Sequence, residues 1–273
     1  MTRRWYHDVS AAWLEARKSV LTATEIKALL PEYRRMQKKP MNPDELSPGF
    51  SSFWAEKNTI TELDTSAPSS AAARGHVMEP YAIASWSNQK GKPMYHWDDC
   101  VITRGLVGFS PDALDIPQLS NDPKLTLSDD RKFLIGDKGF SCDVPTMAIE
   151  VKSYEPKAHW KACIASKMDH DELIQLATAF YVLPELQEAR LLFFCPGAPI
   201  SMKEFVYKRK ELSDLIQMVE DVACEYARNA AICKLWCESP GLQAGYSEDQ
   251  IWEEYNLEHE VENYDSVFVL KRW

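Results

Sequence analysis

No stretch of this chain approaches the roughly 18 consecutive apolar residues of a membrane-spanning helix. No secretory leader is legible either. Arg3 and Arg4 open like one, but Asp8 and Glu15 interrupt any apolar centre. Internal repeats and low-complexity segments are also absent, which excludes solenoids and compositional linkers. A disulfide framework is not indicated. The seven cysteines (Cys100, Cys142, Cys163, Cys195, Cys224, Cys233 and Cys237) are odd in number and read as reduced thiols in a cytoplasmic compartment. Cys233 and Cys237 can share a helix face, but no fourth cysteine stands at a spacing usable for an iron–sulfur cluster. They read as small buried hydrophobes.

Positive charge is in short supply as well. The net charge of −10 weighs against nonspecific binding of phosphates by the whole surface. The deficit is uneven. Residues 1–40 hold nine cations against four anions, and residues 238–273 hold nine anions against Lys271 and Arg272. The first segment is therefore +5 and the last −7.

What is present is a globular composition, 45% hydrophobic and 26% charged over 273 residues. At this size about three quarters of the unfolded surface is buried on folding. Thr22-Ala23-Thr24-Glu25 predicts a helix start with Thr22 as cap and Glu25 as its reciprocal partner. A short helix from about Ser10 precedes it. Residues 40–49, with Pro40, Pro43, Pro48 and Gly49, read as a loop. A helix is expected from Ser69 or Ser70 through Met78, bent at Pro80. Strands are expected over Met94–Thr103, Leu106–Phe109, Met147–Lys152, Leu191–Cys195 and Glu204–Lys208. A hairpin-like insertion spans about 115–146. Helices are expected from Asp169 to Leu183 and from Leu212 to Trp236, with a short one near Asp249. This order predicts an α/β fold, a mixed sheet flanked by helices. Residues 1–238 would form the main domain and 239–273 an acidic tail.

The chemistry centres on Pro111-Asp112 and, further on, Glu150-Val151-Lys152. On a strand, Glu150 and Lys152 share one face while Val151 points to the core. A carboxylate and an ammonium on a buried strand are costly unless paired or used. Asp112 from a neighbouring strand would complete an oxygen-rich pocket for a hard divalent cation. Such a cation polarises a phosphodiester and activates water, and Lys152 orients that water or stabilises developing charge. The simpler alternative is a surface ion pair on an edge strand. The apolar run Met147-Ala148-Ile149 argues against it.

Pro111-Asp112 with Glu150-Val151-Lys152 resembles the PD-(D/E)XK nuclease signature, and the chain is similar to the phage lambda exonuclease and YqaJ-like viral recombinase group. Four further stretches carry the likeness: Arg17 with Thr22-Ala23-Thr24-Glu25, Arg74 to Pro80, Gly108 to Leu114, and Gln175 in Leu173-Ile174-Gln175-Leu176. The likeness covers about residues 10–210. Two departures stand out. The 38 residues from Asp112 to Glu150 exceed the family's usual gap, and the tail has no counterpart.

The resemblance implies a restriction-endonuclease-like core and a metal-dependent 5′→3′ exodeoxyribonuclease acting on one strand of linear duplex DNA. Asp112, Glu150 and the Val151 carbonyl would bind Mg²⁺, with Mn²⁺ equally suited by oxygen ligands. Glu79 would serve a second metal, giving two per site. Lys152 would be the catalytic lysine. Arg17, Thr24, Ser110 and Gln175 would hold the terminal 5′-phosphate. A homotrimeric ring, a single-strand annealing protein as partner and a phage or prophage origin in a bacterial cytoplasm are also implied. Each residue has an ordinary reading beside this one. Arg17, Glu79 and Gln175 can be solvated surface residues, Thr22 and Thr24 helix caps, and Ser110 a turn residue. His76, His159 and His170 read as polar helix or loop residues, and Trp86, Tyr95 and Trp97 as core. An endonuclease of the same superfamily and a non-catalytic DNA-binding subunit remain the alternatives.

Overall fold

The computed structural model describes residues 20–39, 45–58, 70–97, 101–116, 125–127, 133–136, 141–165, 168 and 170–238. Arg17, the helix expected before Val20 and the acidic stretch 239–273 lie outside them. In chain order the elements are α1 (Ala23–Lys38), α2 (Pro48–Asn58), α3 (Ser70–Lys90), β1 (Tyr95–His96), β2 (Ile102–Arg104), β3 (Val107–Phe109) and β4 (Ala113–Leu114). Then come β5 (Leu125–Leu127), β6 (Phe133–Gly136), β7 (Ser141–Asp143), β8 (Met147–Lys152), α4 (Pro156–Ile164), α5 (His170–Val182), β9 (Glu188–Phe194), β10 (Met202–Lys208) and α6 (Ser213–Glu238).

Five strands form the main sheet in the order β1-β4-β8-β9-β10. Only β8 and β9 run parallel, and α4 and α5 make the crossover that a parallel pair requires. β2 and β3 form a separate hairpin, and β5-β6-β7 a three-stranded antiparallel sheet within the expected insertion. The mixed sheet flanked by helices is the fold that the sequence predicts.

Alternation along β8 decides what faces what. Met147, Ile149 and Val151 pack with Ala82, Ile83 and Trp86 of α3 on one side of the sheet. Ala148 belongs to the opposite layer, where β9 contributes Leu191 and Phe193 beneath α1, α5 and α6. Glu150 and Lys152, being even-numbered, share the α5 side. Helix α1 buries Ile26, Leu29, Leu30, Tyr33 and Met36, a stripe of helical period. The Tyr33 hydroxyl ties it to α6 by donating to Asp221 at 2.7 Å.

Three local expectations change. The strand read over Met94–Thr103 is two short strands in different sheets. Helix α2 starts within the last two residues of the expected loop, at Pro48, and runs on to Asn58; neither it nor α4 was foreseen. Both helices begin at a proline, Pro48 and Pro156. Proline at the first helical position loses nothing, since that N–H has no intrahelical acceptor. Pro80, expected to bend its helix, lies well inside α3, which continues to Lys90.

Candidate active site

The site begins with the pairing of β4 to β8. Ala113 stands opposite Ile149 and Leu114 opposite Ala148, so Asp112 arrives beside Glu150. The Val151 N–H donates to Asp112 Oδ2 at 2.7 Å. Glu150 is 6% exposed on a strand with neighbours on both sides, which removes the edge-strand reading of the Glu150–Lys152 pair. Lys152 Nζ donates to Glu150 Oε1 at 2.9 Å, and Gln175 Nε2 of α5 donates to the same oxygen at 2.6 Å. Glu79 comes from α3. Its Oε2 lies 3.7 Å from His76 Nδ1 and 3.6 Å from His96 Nε2.

The electrostatics of the cluster are unbalanced. Burial pushes the Asp112 carboxyl well above its usual range, and the nearby Glu150 and Glu79 charges push it further. The Val151 N–H and Lys152 oppose this without cancelling it. Burial also works against ionised Glu79, but the imidazoles of His76 and His96 outweigh it and hold the carboxyl down at about 2. For Lys152, burial favours the neutral amine. Glu150, Asp112 and Glu172 overcome that and keep the ammonium.

This donor set fits a divalent cation in part. Carboxylates crowded enough to force one toward its neutral form gain from a metal between them. Among the described residues no three His, Cys, Asp or Glu side chains already converge as a cation cage. A metal here would draw on Asp112, Glu150, a backbone carbonyl and water.

A pocket opens on the α5 side. Thr22, Thr24, Ser110, Gln175 and Glu150 line it, with Val101 and the β3 residues Gly108 and Phe109. Three of the four residues expected to hold a terminal phosphate, Thr24, Ser110 and Gln175, thus come together. The fourth, Arg17, lies outside the described residues. The α1 start is placed there by the chain just before it. Leu21 N–H donates to Leu106 O at 2.6 Å, and Gly108 N–H donates to Leu21 O at 2.9 Å. This parallel bridge requires a glycine, because a Cβ at 108 would meet Val20 Cγ2 at 2.4 Å. The expected capping box is formed. Thr22 N–H donates to Glu25 Oε2 at 2.7 Å, and Glu25 N–H donates to Thr22 Oγ1 at 3.4 Å. The first-turn N–H groups of a helix attract anions. Glu150 on the same wall repels them, so an anion gains from a further cation beside Glu150, in addition to Lys152.

Several residues here escaped the sequence reading. The Tyr154 hydroxyl donates to Glu172 Oε1, and Arg74 Nη2 donates to Tyr154 O at 2.7 Å. Glu172 was findable, since it precedes Gln175 by three residues on one helix and shares its face. His96 had no such signal, lying on a two-residue strand. His159, read as a polar helix residue, is fully buried, with Nε2 2.7 Å from Ile200 O.

No protein-family model and no curated protein sequence matches the chain. Among solved structures it is similar to an alkaline exonuclease from Laribacter hongkongensis, at 16% identity and a TM-score of 0.56, covering 84% of this chain and 98% of that one. A structure of that exonuclease in complex with dAMP gives 17% identity and a TM-score of 0.55, covering 86% and 98%. A phage-related exonuclease from Haemophilus somnus gives 12% identity and a TM-score of 0.46, covering 79% and 96%. The chain has the fold of the Laribacter exonuclease.

Proposed function

We propose that this chain is a divalent-metal-dependent exodeoxyribonuclease that removes nucleotides 5′→3′ from one strand of linear duplex DNA. One observation carries the reading. On a fold shared with an alkaline exonuclease, Asp112 and Glu150 meet across the β4–β8 pairing, with Lys152 bonded to Glu150 in the same buried notch.

In this reading Asp112, Glu150 and the Val151 carbonyl hold one cation, and Glu79 serves a second. Mg²⁺ and Mn²⁺ both suit such oxygen donors. Bound there, the metal would polarise the phosphodiester and lower the pKa of a coordinated water. The chain's own groups do the rest. Lys152, kept as an ammonium, stabilises negative charge gathering on the phosphate oxygens. Gln175 fixes one Glu150 oxygen through its amide N–H. The α1 start, Thr24, Ser110 and Gln175 receive the terminal 5′-phosphate, and Arg17 supplies the full charge that pocket otherwise lacks. A nucleoside 5′-monophosphate such as the dAMP bound by the Laribacter enzyme is the product such a reaction releases.

The proposed assembly is a ring of three copies. A single chain of net charge −10 repels DNA, whereas three basic 1–40 segments facing a channel attract it. The setting is phage-type recombination, with the surviving strand passed to a single-strand annealing protein.

The test uses three substrates with Mg²⁺ or Mn²⁺: linear duplex bearing a 5′-phosphate, the same duplex with a 5′-hydroxyl, and closed circular duplex. Mononucleotides released fastest from the 5′-phosphorylated duplex, and none from the circle, are expected. Cleavage of the circle would make the chain an endonuclease. No cleavage of any substrate would leave the non-catalytic reading. Light scattering tests the ring against a monomer of 31.2 kDa.

A further inference from the structure

The nuclease reading leaves one surface of the molecule unused. Helix α4 starts four residues after Lys152. Its entry is held by Arg74, which donates to Tyr154 O and pairs with Glu155. The helix turns His159 and Cys163 inward, 0% and 8% exposed. Its outer stripe is Lys157, Trp160, Lys161 and Ile164, spaced i, i+3, i+4 and i+7, and all four are exposed. Trp160 is 46% exposed and Ile164 63%. This spacing normally marks the face a helix buries. On the helix's inner side the buried His159 ring lies 2.7 Å from the carbonyl of Ile200, itself 39% exposed. Lys203 of β10 is exposed and close enough to the Cys163 thiol to act on its ionisation.

The charge of this stripe is the reverse of the chain's. Helix α4 carries no acidic residue, and Glu155 before it is committed to Arg74. A large exposed ring between lysines suits an unpaired polyanion whose bases can stack. We propose that the α4 stripe is a landing surface for single-stranded DNA, namely the strand that leaves the Asp112–Glu150 notch uncut. This rests on the nuclease reading for its direction but not for its binding chemistry. An acidic peptide or a second copy of the chain would be a different occupant. Neither is favoured by a flat aromatic face set among lysines directly after the catalytic strand.

The experiment measures anisotropy of a fluorescein-labelled dT20 oligonucleotide in EDTA, where nothing is cleaved, beside hydrolysis of bis(p-nitrophenyl) phosphate with Mn²⁺. Trp160→Ala should weaken dT20 binding roughly tenfold, and Trp160→Phe should restore most of it. Lys157→Gln with Lys161→Gln should lower the slope of log affinity against log salt by about 1.4. Small-substrate hydrolysis should be unchanged in all three, which shows the notch intact. Equal dT20 affinity in wild type and Trp160→Ala overturns the proposal. So does a Trp160→Ala variant whose only change is a smaller mass in light scattering, which would make the stripe a contact between copies. Stripe-dependent dT20 binding in a wild-type protein that hydrolyses nothing would support the surface and refute the nuclease reading.

Discussion

Two clusters of ionised side chains stand on the same five-stranded sheet, and they are balanced differently. In one, Arg190 of β9 donates through Nη2 to Glu188 at 2.7 Å and through Nη1 to Glu204 of β10 at 2.8 Å. Glu204 also accepts from Trp86 Nε1 at 2.8 Å and pairs with Lys90. Two carboxylates face two cations, and the Arg190 guanidinium lies 5.2 Å from the Trp86 ring. Burial opposes the Glu204 charge, yet Lys90, Trp86 and Arg190 still lower its pKa. In the other cluster, Lys152 bonds Glu150, Glu79 leans on the imidazoles of His76 and His96, and Asp112, held by the Val151 N–H, is driven toward its neutral form. A network that closes on itself ties α3 to β9 and β10. A network left short of positive charge is arranged for something that arrives later.

The comparison can be broken most sharply at Asp112 and Lys152. Asp112→Asn and Lys152→Ala should each lower the turnover of 5′-phosphorylated duplex by about a thousandfold or more. Asp112→Asn should at the same time leave the thermal midpoint unchanged or higher, because it removes a repelled carboxyl. A lower midpoint would place Asp112 with the balanced kind.

Arg190→Met should do the opposite. It strands Glu188 and Glu204 without their shared cation and should cost about 2 kcal/mol of stability, discounted for partial exposure, in urea unfolding. Turnover per folded molecule should stay near wild type.

A smaller effect is expected at Gln175. Gln175→Ala removes a donor to Glu150 and one wall of the pocket, and should cut the preference for a 5′-phosphate over a 5′-hydroxyl several-fold. The ratio of the two initial rates is the readout.

The smallest effect lies in α1 and concerns acid. The bond from Arg35 holds Glu32 down from 4.5 to about 2, aided by the Ser47 hydroxyl and the Gly49 N–H. A depressed carboxylate stabilises the fold fully above its ordinary pKa and loses that contribution as pH falls from about 4.5 toward 2. Glu32→Gln should flatten the pH dependence of the urea midpoint across that window and leave the neutral-pH slope alone.

Much of this arrangement was legible in the sequence because it rests on short-range rules. Alternation put Glu150 and Lys152 on one face. The Thr22–Glu25 spacing marked the start of α1, and Pro111-Asp112 marked the end of a strand. Proline misled at residue 48, read as part of a loop, where it opens a helix. The meeting of Glu79 with His96, or of Tyr154 with Glu172, depends on how α3 and α5 lie across the sheet. No local spacing encodes that. The Arg190 network is likewise invisible beforehand, since Trp86 and Lys90 of α3 stand 118 and 114 positions before Glu204.

The bridge between Leu21 and Val107 has a consequence for the order in which the molecule is made. It joins residues 86 positions apart, and the pocket it helps to shape also needs Gln175, a further 68 positions on. Closing such long loops is entropically unfavourable until the sheet beneath them exists. A nascent chain emerging from the ribosome therefore has no pocket until β8 and α5 have followed β3 out and packed. A nuclease of the proposed kind would be harmless throughout its own synthesis and competent only when nearly whole.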